Sequence, residues 1–85
     1  MPATGDEEIC LGIVITIAHK EQSTAIEQLK DIGSLELGTI QDHRMPASII
    51  TKRGLDREVI AAIEALASVL RVDIAFAQVI EEEVA

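Results

Sequence analysis

The 85-residue sequence is poor in aromatic residues, cysteine and basic residues, and it contains no tryptophan or tyrosine. Phe76 is its single aromatic residue, so it lacks the set of rings on which RNA-recognition sheets stack bases. Its single cysteine, Cys10, excludes an internal disulfide. Seven basic against fifteen acidic residues give a formal net charge of −8, which disfavours nucleic-acid binding and favours basic partners.

Long apolar runs and targeting signals are also missing. The run of ten mostly apolar residues from Ile9 is too short to span a bilayer, and the acidic stretch before it does not resemble a signal peptide. Secreted domains of this size usually need disulfides or a metal, and the sequence has no CxxC motif or Cys/His cluster. We therefore expect one cytoplasmic domain over residues 9–83, with a flexible leader at 1–8 and a tail at 84–85.

The first predicted strand is the segment ICLGIVITIA, in which large and small side chains alternate. A period of two with many β-branched residues is typical of a strand. The bulky side chains stand at odd positions, namely Ile9, Leu11, Ile13, Ile15 and Ile17. The even positions carry Cys10, Gly12, Val14, Thr16 and Ala18. We expect helices to cover the odd face and to leave the even face bare.

Two amphipathic helices are predicted from apolar residues spaced by threes and fours. The first covers residues 20–32 and is closed by Gly33 in the left-handed conformation. The second has Asp56 as its N-cap, with Leu55 and Ile60 placed for a hydrophobic staple. Its apolar stripe consists of Val59, Ile63, Leu66 and Leu70, widened by Ile60 and Ala67.

Three further strands complete the pattern. Leu35, Leu37 and Thr39 alternate with other residues in the second strand, QDHRMP is a turn that ends at Pro46, and ASIITK is a short third strand. From Arg71 the period returns to two, and Val72, Ile74 and Phe76 are expected under the helices. The order βαββαβ predicts an α+β, ferredoxin-like fold, a four-stranded antiparallel sheet with two helices on one face.

The sheet face opposite the helices is predicted to carry small, largely apolar residues. The predicted partner-binding residues on this face are Gly12, Val14, Thr16, Gly38, Ile40, Ala75, Ala77 and Val79. An apolar patch of this extent on a small protein usually marks a partner site, and small side chains let another backbone or helix approach closely. The same face would also suit a homodimer interface, and the residues alone leave both interpretations open.

Residues that would carry catalysis or bind a metal are few. His19, His43 and Cys10 stand on different elements without metal-ligand spacing. No phosphate-binding glycine loop is present in the sequence, and nothing indicates a nucleophilic triad. We expect no cofactor, no metal and no enzymatic activity. The acidic runs at 6–8 and 81–83 favour solubility and could attract a basic peptide.

The stretch ICLGIVITIAHKE resembles the opening of the NapD family, small cytoplasmic assembly chaperones of the periplasmic nitrate reductase. The likeness continues through AIEQLKDIGSLELG, ASIIT, EVIAAIEAL and VDIAFAQVIEEE, and so covers residues 9–83. The chain departs from the family pattern at Leu70 and Arg71, where a Gly-Val pair is usual, and at Gln78 and Val79, where Tyr-His is common. The turn before its second strand also lacks the usual proline.

The resemblance implies a cytoplasmic chaperone that is not an enzyme. Proteins of this family bind the twin-arginine signal peptide of a molybdenum-enzyme precursor as a helix on the sheet, and they delay export until the cofactor is inserted. The residues also allow an alternative, an ACT-like regulatory or dimerisation domain that binds a small molecule near its first strand-helix loop, here TIAHKEQ.

Overall fold

The computed structural model describes residues 8–80 of the chain, without the side chain of residue 80. Nearly all of the predicted leader, the acidic run at 81–83 and the tail at 84–85 lie outside the described residues.

The described chain follows the predicted order of elements. These are β1 (Glu8–Ile17), a short 3₁₀ turn (His19–Glu21), α1 (Gln22–Lys30), β2 (Leu35–Leu37), β3 (Arg44–Lys52), α2 (Asp56–Glu64) and β4 (Val69–Ile80). The strands form one antiparallel sheet in the order β2-β3-β1-β4. The predicted α+β, ferredoxin-like fold is confirmed.

The hydrophobic core lies between the helices and one face of the sheet. Its buried residues are Leu11, Ile13, Ile15 and Ile17 of β1, Ala25 and Leu29 of α1, Leu35 of β2, Met45, Ala47 and Ile49 of β3, Ile63 of α2 and Val69 of β4. The prediction for the odd positions of β1 is therefore correct, with Ile9 half-buried against this core. Both helices contribute to the same core, so they cover the same sheet face.

The first helix ends earlier than its apolar pattern predicts. After α1, the amide of Ile32 donates a hydrogen bond of 3.1 Å to the carbonyl oxygen of Leu29, three residues before it. This tightened last turn satisfies carbonyl groups at the helix end without a left-handed residue. Gly33 accordingly does not adopt the predicted positive φ.

The second helix is also shifted from its predicted bounds. Its N-cap is Leu55, and Asp56, predicted as the N-cap, lies within the first turn. The Asp56 carboxylate accepts a hydrogen bond of 2.9 Å from the amide of Gly54 instead of capping the helix. The helix ends at Glu64, so Leu70, predicted on its apolar stripe, belongs to β4 and is 66% exposed.

Pro46 lies inside β3 and not at the end of a turn. The turn is confined to Gln41–Arg44, whose end residues exchange two backbone hydrogen bonds of 2.9 Å. The Pro46 carbonyl accepts a hydrogen bond of 2.8 Å from the amide of Gly38, so the proline nitrogen, which has no hydrogen, faces the same neighbouring strand. The pairing of β2 with β3 stops there, which explains why β2 ends at Leu37.

Candidate functional site

We call the sheet face opposite α1 and α2 the open face. Directly opposed residues of an antiparallel sheet point to the same face, so the strand register defines rows across it. From the Glu8 end of β1 to the Ile17 end, the rows are Ile50–Cys10–Gln78, Glu36–Ser48–Gly12–Phe76, Gly38–Pro46–Val14–Asp73 and Arg44–Thr16–Arg71. The middle of the open face is therefore mostly small or apolar, and arginines stand at one end of it.

A β-bulge in β4 decides which of its residues reach the open face. Ile13 pairs with Ile74, but the next residue, Gly12, pairs with Phe76, so Ala75 is an extra residue in β4. An extra residue shifts the alternation of side chains by one position. Ile74 therefore lies on the helix side and Phe76 on the open face.

The prediction that Phe76 lies under the helices is wrong. Its side chain is 53% exposed, and a Cβ atom added to Gly12 would overlap its ring. The ring thus lies directly over Gly12, which is buried although it belongs to the open face. A glycine opposite an aromatic residue leaves the space that the ring occupies.

Three predicted site residues are not on the open face. Beyond the bulge, Ala77 pairs with Leu11 and Val79 pairs with Ile9, so both lie on the helix side. Both remain exposed, because β4 is an edge strand. Ile40 packs against the hydrophobic core, since β2 ends before it and the alternation does not continue.

The other predicted residues lie on the open face, and most of them surround one groove. We call this groove, of about 350 Å³, the central groove. It is lined by Gly12, Ile13 and Val14 of β1, Glu36 and Leu37 of β2, Gly38 just after β2, Pro46, Ala47 and Ser48 of β3, and Ala75 and Phe76 of β4. Gly12, Val14, Gly38 and Ala75 are thus brought together, whereas Thr16 lies outside the central groove, between Arg44 and Arg71.

Four open-face residues of the central groove were not predicted from the sequence: Glu36, Pro46, Ser48 and Phe76. The alternation of buried Met45, Ala47 and Ile49 is the signal that places Pro46 and Ser48 on the opposite face. Glu36 follows from its pairing with Ser48. No sequence pattern predicts the bulge that places Phe76 on the open face.

The charges of the open face are unevenly placed. Glu36 is an exposed carboxylate at the β2 side of the central groove, and it takes part in no ion pair within residues 8–80. At the Ile17 end, the Nε of Arg71 lies 2.9 Å from Oδ1 of Asp73, in an exposed pair that contributes little to stability. Arg44 is exposed across Thr16 from that pair.

The described part of the chain contains no group of three His, Cys, Asp or Glu side chains arranged to bind a metal. His19 and His43 are exposed on separate segments, and Cys10 is a free thiol half-buried on the open face. Each α-helix has nine residues, and no helix in residues 8–80 is long and apolar enough to cross a membrane.

The fold and its central groove define a class, a ferredoxin-like α+β domain in which both described helices cover one face of the sheet and leave the other face open. No family model matches the sequence, and no curated protein matches it. Among solved structures, the chain is similar to the solution structure of the Tat proofreading chaperone protein NapD of E. coli, with a TM-score of 0.76 at 15% sequence identity. The match covers 93% of this chain and 84% of that chain. The fold is therefore NapD-like, as the sequence resemblance predicts.

Proposed function

We propose that this protein is a cytoplasmic chaperone, and not an enzyme, that binds a twin-arginine signal peptide on its open face. The observation that carries the proposal is the central groove of small residues on the uncovered face of a NapD-like fold. A solved structure with this fold is that of a Tat proofreading chaperone. This likeness supports the choice of ligand.

The lining of the central groove suits the apolar segment of a helical peptide. Val14, Pro46 and Phe76 offer apolar surface, and the exposed Gly38 adds no side chain that would hold a helix away. Gly12 lies under the Phe76 ring, so at this position the peptide would contact the ring. A Cβ atom at Gly38 would lie 3.0 Å from both Cγ and the carbonyl oxygen of Pro46, so this side of the groove tolerates only glycine without adjustment. Burial of apolar area contributes about 25 cal/mol per Å² and would provide most of the affinity.

The proposed client is the precursor of a molybdenum enzyme of the nitrate reductase type. A signal peptide whose apolar segment is buried on the open face is not accessible to the export machinery. Binding therefore delays export, and release after cofactor insertion would restore it. The net charge of −8 favours encounter with the arginines of such a peptide.

Calorimetric titration with a twin-arginine signal peptide of a molybdenum-enzyme precursor tests the proposal. Ser48→Arg adds bulk and positive charge at the middle of the central groove, and we expect it to weaken binding at least about tenfold. Thr24→Arg makes the same charge change on the exposed surface of α1 and serves as the control. Both variants should keep the thermal stability of the parent protein.

Two outcomes would contradict the proposal. Absence of peptide binding to the parent protein would contradict the proposed function. Equal affinities of the Ser48→Arg and Thr24→Arg variants for the peptide would contradict the proposed binding site. Light scattering tests the homodimer interpretation. If the parent protein is a dimer and Ser48→Arg dissociates it, the open face is a self-association surface. A thermal shift with one small metabolite, and none with the peptide, would favour the ACT-like alternative.

A further inference from the structure

We propose that Glu36 selects a cationic side chain of the bound peptide and that Arg44 and Arg71 fix the direction in which the peptide lies. This inference rests on the proposed function, since it concerns the same open face. It assigns the amino-terminal, basic segment of the peptide to the Glu8 side of the central groove. The apolar segment then runs over Val14 and Pro46 towards Thr16.

Glu36 is the carboxylate that the central groove offers to a ligand. It stands in one row with Ser48, Gly12 and Phe76, so a cation beside it is also in reach of the apolar surface of the groove. Asp73, in the next row, is already paired with Arg71. A cationic side chain of the peptide therefore gains the most binding energy next to Glu36, because no ion pair within residues 8–80 neutralises the charge of Glu36.

The two ends of the open face differ in charge. At the Ile17 end, Arg44 and Arg71 flank Thr16, and of these two arginines only Arg71 has an acidic partner within residues 8–80. At the other end, Glu8 stands opposite Lys52, and both are exposed. A basic segment and a peptide amino terminus would meet a net positive charge at the arginine end, and like charges brought together at an interface oppose binding.

The dimensions of the open face agree with this placement. From the Gly12 row to the Thr16 row the strand advances four residues, or about 13 Å. An α-helix covers that distance with about nine residues. A peptide with a cation beside Glu36 and a following apolar segment of this length would end at Thr16 with an uncharged turn between the arginines.

Charge reversals in the protein and in the peptide test whether Glu36 selects a cationic side chain. Glu36→Gln should weaken binding about threefold to tenfold and Glu36→Lys about tenfold or more, while Glu64→Lys, the same reversal on the helix side, should change it little. A peptide whose arginines are replaced by glutamate should bind the Glu36→Lys variant better than it binds the parent protein. Equal effects of Glu36→Lys and Glu64→Lys on a peptide that still binds would overturn the selection and leave the proposed function standing.

A spin label on either end of the peptide tests the direction. A label at the basic end should broaden the amide signals of Cys10 and Gln78, and a label at the apolar end should broaden those of Thr16 and Arg71. Arg44→Glu should weaken this pattern, because without the positive charge at the Ile17 end the peptide can also bind in the opposite direction. The reverse pattern in the parent protein would overturn the inference, whereas a peptide that broadens no signal of the open face would contradict the proposed function itself.

Discussion

Gly12 and Phe76 form one cross-strand unit at the centre of the open face. The two residues are paired in the register, and the ring fills the space that a side chain at position 12 would take. The ring shields the glycine backbone and yet keeps 53% of its own surface exposed. Phe76 thus covers the backbone of Gly12 and also offers apolar surface to a ligand.

A double-mutant cycle tests whether these two residues act as a unit. Gly12→Ala should destabilise the parent protein by about 1 kcal/mol, because the new methyl group displaces the ring. In a Phe76→Ala background the same change should stabilise by about 0.5 kcal/mol, since alanine suits a strand better than glycine. Chemical denaturation of the four proteins gives the coupling energy, and additive effects would contradict the assigned contact.

At the scale of single residues, half of the open-face residues that line the central groove were predictable. The alternation in β1 is reliable because the core accepts one face only, and it correctly placed Gly12 and Val14. Gly38 and Ala75 were also correctly placed. The prediction for Ile40 was wrong because side chains do not keep alternating between the two faces after the last paired residue of a strand. The end of β2 depends on Pro46 of the neighbouring strand β3.

At the scale of elements, β4 shows why alternation can mislead. Its residues from Val72 to Phe76 alternate between large and small as in a regular strand. In the described sheet β4 is an edge strand that pairs with β1 alone, so an extra residue disturbs a single ladder. Nothing in the composition of β4 distinguishes the bulge at Ala75 from a regular position. The faces of Phe76, Ala77 and Val79 were therefore reversed in the prediction.

Deletion of Ala75 should remove the bulge and keep the faces of β4. Ile74 and Phe76 would then become neighbours that still oppose Ile13 and Gly12, so we expect a folded protein within about 1 kcal/mol of the parent. Two-dimensional NMR should show that the ring-current shift of the Gly12 signals persists. Loss of this shift would mean that β4 has slipped and that the register does not hold Phe76 in place.

Deletion of Ala77 is the matched control for this experiment. It would bring Gln78 opposite Leu11 and Val79 opposite Cys10, and so exchange the faces of the rest of β4. A polar side chain then takes a helix-side position, and we expect a larger loss of stability than for the Ala75 deletion. Equal losses would show that the faces of this part of β4 are of no consequence.

At the scale of the whole molecule, the order of elements was predictable from periodicity, and the arrangement of charges that would contact a ligand was not. Four switches between a period of two and a period near 3.6 define the topology, because each element must bury one face in the same core. Recognition depends instead on where charges fall on the uncovered face. Alternation along β2 and β3 gives the faces of Glu36 and Arg44, but it does not report which charges stand side by side, since that depends on how the strands pair.

Net charge is the property of the whole molecule that should govern encounter with the peptide. With a formal charge of −8, the protein attracts a basic peptide over a distance set by the Debye length, which falls from about 30 Å at 0.01 M ionic strength to about 10 Å at 0.1 M. We expect kon, measured by stopped flow, to fall about tenfold over this range. The value of koff should change little, since apolar burial in the central groove determines it. A peptide with its arginines replaced by glutamine provides the control, and an equal salt dependence of both peptides would show that the acidity of the chain has no part in recognition.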